Sequence, residues 1–190
     1  MTAYLFWHRP FAEIDREAYE AALTGFHRAL VARGCPGFQG AATYRISATP
    51  WLDGRPGYED WSFVESSAGL DPLNEMAVAP GMWEVHAGIS GKTEAGHGGI
   101  YYRVLGEADP GALTRTAWLA RPRGIRYEAP LRALAAQVKG PVSVWRKQMV
   151  LGPAPEFALL GGDSLALDLP EGWNAHYVER RLLQAGRTAG

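Results

Sequence analysis

Along the chain, apolar and polar positions alternate in short runs, then change to a helical spacing, and the change recurs. Residues 3–10, "AYLFWHRP", have strand composition and end at a proline that removes a ladder donor. Residues 14–34 carry the marks of a helix: Asp15 as N-cap, Ile14 and Tyr19 at staple spacing, and Gly34 as the stop. Tyr19, Ala22, Leu23, Phe26 and Leu30 fall on one face, the pattern of a helix lying on a sheet, with His27 beside it as a satisfied or exposed histidine. Two further strand-like runs, 37–47 and 58–66, flank a Pro/Gly loop. A short helix over 70–78 and a strand over 98–107 complete a β-α-β-β-α-β order, the split-βαβ arrangement with both helices on one face of an antiparallel sheet.

The rest of the chain echoes this order. "WHRP" at 7–10 is answered by "LARP" at 119–122, "YEAAL" at 19–23 by "YEAPL" at 127–131, "TYRI" at 43–46 by "VWRK" at 144–147, and "YYRVL" at 101–105 loosely by "YVERRLL" at 177–183. The expected fold is therefore α+β: two tandem ferredoxin-like β-α-β-β-α-β repeats, residues 1–107 and 114–190, joined by a linker at 108–113. In the second, the segment "LLGGDSLALDLPEGW" replaces the second helix.

Paired ferredoxin-like units of this pattern resemble the dimeric α/β-barrel superfamily, and "DWSFVESSAGLDPLNEMAV" at 60–78 resembles an uncharacterised bacterial family within it. The resemblance implies an α/β barrel with helices outside, closed within one chain or in a homodimer. It does not imply one activity, because the superfamily includes cofactor-independent monooxygenases, isomerases, haem proteins and ligand sensors.

Composition removes several function classes. A hydrophobic share of 47% lies in the globular range. The net charge of -1, without any run of like charges, leaves no electrostatic footprint for nucleic acid or anionic lipid. No apolar run is long enough to span a membrane, and no signal peptide opens the chain, so a cytoplasmic protein is expected. Cys35 stands alone, so no intrachain disulfide or thiolate cluster can form.

The most motif-like stretch is residues 86–99, "HAGISGKTEAGHGG". Its "GKT" ends like a P-loop, but the first glycine of G-x-x-x-x-G-K-[ST] would fall on His86, and the glycines after Thr93 oppose the helix the motif needs. His86 and His97 lie eleven apart without metal-ligand spacing. The stretch is expected to be a glycine-rich loop carrying His86, Lys92 and His97, a lid over the barrel mouth.

Strand alternation supplies the other candidates. Tyr4, Phe6 and His8 share one face, Leu5, Trp7 and Arg9 the other; Trp61 pairs with Phe63, and Trp145 with Lys147 and Met149. The expected function is binding or transformation of a small apolar or aromatic molecule between the sheets. His8 or His86 would handle a proton, and Tyr4, Phe6, Trp61, Trp145 and His97 would contact the ligand. The repeat places Ala120 where the first has His8. No cofactor motif is present and none is expected; the alternatives are a haem protein similar to the chlorite dismutase branch, with no residue assignable as ligand, and a non-catalytic sensing or interaction module.

Overall fold

A computed structural model describes residues 1–188. The chain runs β1 (Thr2–Pro10), α1 (Arg16–Arg33), β2 (Phe38–Thr49), β3 (Arg55–Val64), α2 (Leu70–Ala77), α3 (Trp83–Ser90), β4 (Thr93–Leu105), β5 (Arg115–Ala120), α4 (Glu128–Gln137), β6 (Ser143–Lys147), β7 (Phe157–Gly161) and β8 (Asn174–Arg187). Among the described residues, no helix is long and apolar enough to cross a membrane.

All eight strands join one closed antiparallel barrel in the order β1-β3-β2-β8-β5-β7-β6-β4. The ladders β2·β8 and β4·β6 are the two seams that join the first four strands to the last four. At eight strands the interior is just wide enough to be filled by side chains. It is filled here: Trp7, Trp61, Trp118, Trp145 and Tyr101 are completely buried and meet edge to face, with ring centroids 5.2–6.2 Å apart. Among them lies a buried ion pair. Arg180 Nε is 3.1 Å from Glu59 Oε1, and both side chains are fully buried. Trp7 Nε1 donates to Glu59 Oε2 at 2.8 Å and Trp61 Nε1 to Oε1 at 2.7 Å, while the guanidinium lies 3.6 Å from the Tyr44 ring centroid. The expectation of a ligand between the sheets, against Trp61 and Trp145, is corrected by this packing: both rings belong to the solid barrel core.

The predicted first helix forms as its signals direct. Asp15 accepts from the Ala18 N–H at 2.9 Å, Ile14 packs on the cluster containing Tyr19, and Gly34 ends the helix at φ 62° with its N–H on Leu30 O. α1 lies on β2 and β8 and against α3. The glycine-rich stretch departs from expectation. It is not a loop: residues 83–90 form α3, and β4 begins at Thr93, earlier than the 98–107 strand expected. Segment 162–173 carries no helix.

Candidate functional site

Between the helices and the outer face of the sheet lies a cavity of about 650 Å³, within the range of small-molecule sites. Leu23, Phe26 and Leu30 of α1, Leu73 and Ala77 of α2 and Ile89 of α3 form its apolar walls. Its floor is the outward set of β1, Tyr4, Phe6 and His8, together with Asp60 and Ser62 of β3 and Ile100 of β4. Alternation thus divides β1 as predicted, with Leu5 and Trp7 turned into the barrel.

Gly96 and Gly98 of β4 make room for this floor. A methyl group at Gly96 would overlap the Phe6 ring, and one at Gly98 would come within 2.8 Å of Tyr4 Oη. The two aromatic rings therefore lie across the bare backbone of the neighbouring strand, which accounts for two of the glycines after Thr93 that argued against a phosphate loop.

At the floor His8 is only 1% exposed. Its Nε2 is 3.0 Å from Asp60 Oδ2, and its Nδ1 is 2.6 Å from Tyr19 Oη, which is in turn 3.0 Å from Thr93 Oγ1. His27 Nε2 also approaches Asp60 Oδ2 at 3.0 Å, as an ion-pair contact outside hydrogen-bond alignment. Burial opposes ionisation of Asp60, but the His27 and His8 imidazoles outweigh it and hold the carboxyl well below the usual carboxylate range. Burial, reinforced by the charge of Asp60, pushes the Tyr19 phenol up to about 12, although its bond with Thr93 acts the other way. Two atoms here lack a partner among the described residues: His27 Nδ1 and Asp60 Oδ1, both buried. Buried polar atoms left this way commonly mark a water or ligand contact.

Of the predicted site residues, His8, Tyr4, Phe6 and His86 all line this cavity. His86 stands on α3, its ring 5.6 Å from Phe26 and 6.5 Å from Trp83, and is half-buried where His8 is buried. Trp61 and Trp145 are in the barrel core, and His97 is an exposed strand residue opposite Trp7 that does not line the cavity. Sequence reasoning missed Asp60 and placed His27 beside the buried helix face. Tyr19, Leu23, His27 and Leu30 are the buried residues of α1, an i, i+4, i+8, i+11 series that contains His27. Asp60 was reachable through alternation, because Trp61 and Phe63 point inward and Asp60 and Ser62 must then point out.

Neither a protein-family model nor a curated protein matches the chain, so the narrower resemblance drawn from residues 60–78 finds no counterpart. Two solved structures share the architecture. An anthrone oxidase-like protein is 11% identical with a TM-score of 0.53, covering 100% of this chain and 93% of its own. A protein of Lactobacillus acidophilus NCFM assigned as a monooxygenase is 10% identical with a TM-score of 0.55, covering 99% of each chain. These likenesses show a common fold, an α+β barrel with an antiparallel sheet.

Proposed function

We propose that the protein binds a small, neutral apolar or aromatic molecule in the cavity between its helices and its sheet, and that His8 moves a proton to or from that molecule. The observation that carries this reading is the join of two environments: an apolar chamber, and at its floor an imidazole held 3.0 Å from a buried carboxylate. An imidazole fixed by a carboxylate is a suitable general base, since the carboxylate orients the ring and stabilises its charge. Of the described residues lining the cavity none is Lys or Arg, while Asp60 and Asp71 are present, so an anionic ligand is disfavoured. Asp60 and His27, which line the cavity, each keep one buried polar atom without a partner among the described residues, Oδ1 and Nδ1. The names of the two structural neighbours favour oxidation as the reaction class. Proton removal fits it, because an aromatic anion gives up an electron to dioxygen more readily than its neutral parent.

The tandem-repeat reading adds to this assignment. It is supported by the order β4-β1-β3-β2 in one half of the barrel and β8-β5-β7-β6 in the other. On that reading only the first half keeps the histidine, with Ala120 in the second. A haem does not fit this floor: His8 and His27 both turn Nε2 to Asp60, and an iron bond to either would break that contact.

The test uses 1-naphthol and 1-naphthoate as neutral and anionic probes, followed by tryptophan fluorescence and by an oxygen electrode. Naphthol is expected to bind and naphthoate to bind at least about tenfold more weakly. Ala77→Phe, which fills the cavity, is expected to abolish binding with the fold retained. For a substrate that turns over, His8→Ala is expected to bind it and to lose about 10²–10⁴-fold in kcat. Unchanged binding by Ala77→Phe overturns the site. Turnover unaffected by His8→Ala overturns the role of His8, and binding without turnover leaves a sensing module.

A further inference from the structure

The hydroxyl groups behind His8 connect the cavity floor to one of the helices that cover it. Thr93 Oγ1, at the start of β4, donates to Ile89 O in the last turn of α3 at 3.1 Å and is 3.0 Å from Tyr19 Oη. Tyr19 Oη is 2.6 Å from His8 Nδ1, and His8 Nε2 is 3.0 Å from Asp60 Oδ2. Each hydroxyl has a single proton to donate, and a carbonyl only accepts. When Thr93 donates to Ile89 O, Tyr19 must donate to Thr93, and His8 Nδ1 must donate to Tyr19. Nε2 faces an ionised carboxylate and also needs a proton. All four contacts are therefore made together only when His8 is an imidazolium.

The neutral ring sets the row the other way. Its remaining proton stays on Nε2 opposite Asp60, and Nδ1 becomes an acceptor. Tyr19 then donates to Nδ1, Thr93 donates to Tyr19, and Ile89 O loses its bond from Thr93.

We propose that Tyr19 and Thr93 form a proton wire from His8 to the α3–β4 corner, and that the Thr93 bond to Ile89 O is a latch on α3 closed only while His8 is charged. The proton count balances. His8 Nδ1 gives its proton to Tyr19 as Tyr19 gives its own to Thr93, and Thr93 turns its own from Ile89 O to a water at the half-buried corner. One proton leaves, and neither oxygen is left charged. A phenol that resists ionisation suits this use, because Tyr19 passes a proton without resting as a phenolate. Proton uptake by His8 would then tighten α3 over the cavity, and proton loss would loosen it. This deepens the reading of His8 as the proton-handling group and rests on it for its purpose, though the wire itself is defined without a ligand.

Several further groups surround His8. β3 presents Asp60 and the Tyr58 ring, stacked 5.6 Å away; Tyr58 donates to Glu20 of α1, which is paired with Arg45 of β2. α1 adds His27, β1 stacks Phe6 on the ring at 5.1 Å, and Gly96 of β4, opposite His8, has no side chain. The nearby Arg9 of β1 and Glu94 of β4 pair with one another at 2.9 Å. At the cavity edge α3 adds His86 and Ser90.

The experiment is a histidine NMR titration of the ligand-free protein, with amide hydrogen exchange across the end of α3. In Thr93→Val the proton of Tyr19 has no acceptor but His8 Nδ1, so the neutral ring is favoured and the His8 titration is expected to move about one pH unit lower, a tenfold change in ionisation constant. Thr93→Ser is expected to restore it, and Tyr19→Phe/Thr93→Val to titrate as Tyr19→Phe does. In the wild type, exchange at residues 89–92, corrected for intrinsic pH dependence, is expected to quicken as His8 loses its charge. A His8 titration unchanged by Thr93→Val overturns the wire. Wild-type exchange that ignores the His8 midpoint overturns the latch and needs no variant. Both readings are taken without ligand, so their failure is distinct from a failure of the cavity to bind naphthol.

Discussion

Asp60 concentrates the electrostatics of the site in one side chain. Its carboxyl is held below the ordinary range by His27 and His8 against the cost of burial, so the folded state binds a proton there less readily than the unfolded chain. The stabilisation is therefore fully present above the unfolded value near about 4 and is lost as pH falls toward the depressed native value. Urea unfolding of wild type and Asp60→Asn between pH 3 and pH 6 measures it. The gap in stability is expected to be widest at the top of that range and to narrow steadily below about pH 4. A gap that stays constant with pH would place the stabilising charge elsewhere. His8 and Asp60 sit opposite Tyr58 and Phe6 on adjacent strands, and such a partnership cannot be read from positions 52 apart in the chain.

At the scale of elements, β4 shows how a strand with few side chains shapes a site. Gly96 has no left-handed backbone requirement; what it provides is space for Phe6. Gly96→Ala is thus expected to overpack the interface between β1 and β4, with a loss of about 1–3 kcal/mol in thermal or urea unfolding and weaker naphthol binding as Phe6 is driven into the cavity. Gly88→Ala, on α3 with open space around its added methyl, is the control and is expected to be neutral or stabilising. α1 was legible because capping, staple and apolar spacing agree along one stretch. α3 was not: glycines at 88 and 91 and an exposed Trp83 mask a helix that forms by packing on α1.

The whole molecule depends on a closed barrel interior packed around a charged pair. Glu59 accepts from two tryptophans and holds Arg180, so removing its charge leaves a buried guanidinium without a counter-charge. Glu59→Gln is expected to lose about 3–5 kcal/mol, and Glu59→Gln/Arg180→Met to recover a large part of that loss, both by urea unfolding. A loss under about 1 kcal/mol in the single variant would mean that Arg180 finds other solvation. Because β2·β8 and β4·β6 seal the barrel, the two halves share one continuous sheet.

Local spacing by itself determined the strand faces of β1, the first helix with its caps, the short helix near 70–78, and the order of strands and helices apart from α3. These follow from periodicity and capping, which act over a few residues. Tertiary structure alone decided that the barrel interior is solid, that the cavity lies outside it under the helices, and that Asp60, His27, Tyr19 and Thr93 meet at His8. The reason is geometric. Closure of an eight-strand barrel sets how much room its interior side chains have, and ladder register sets which distant residues become neighbours; neither quantity is encoded in any single stretch of chain.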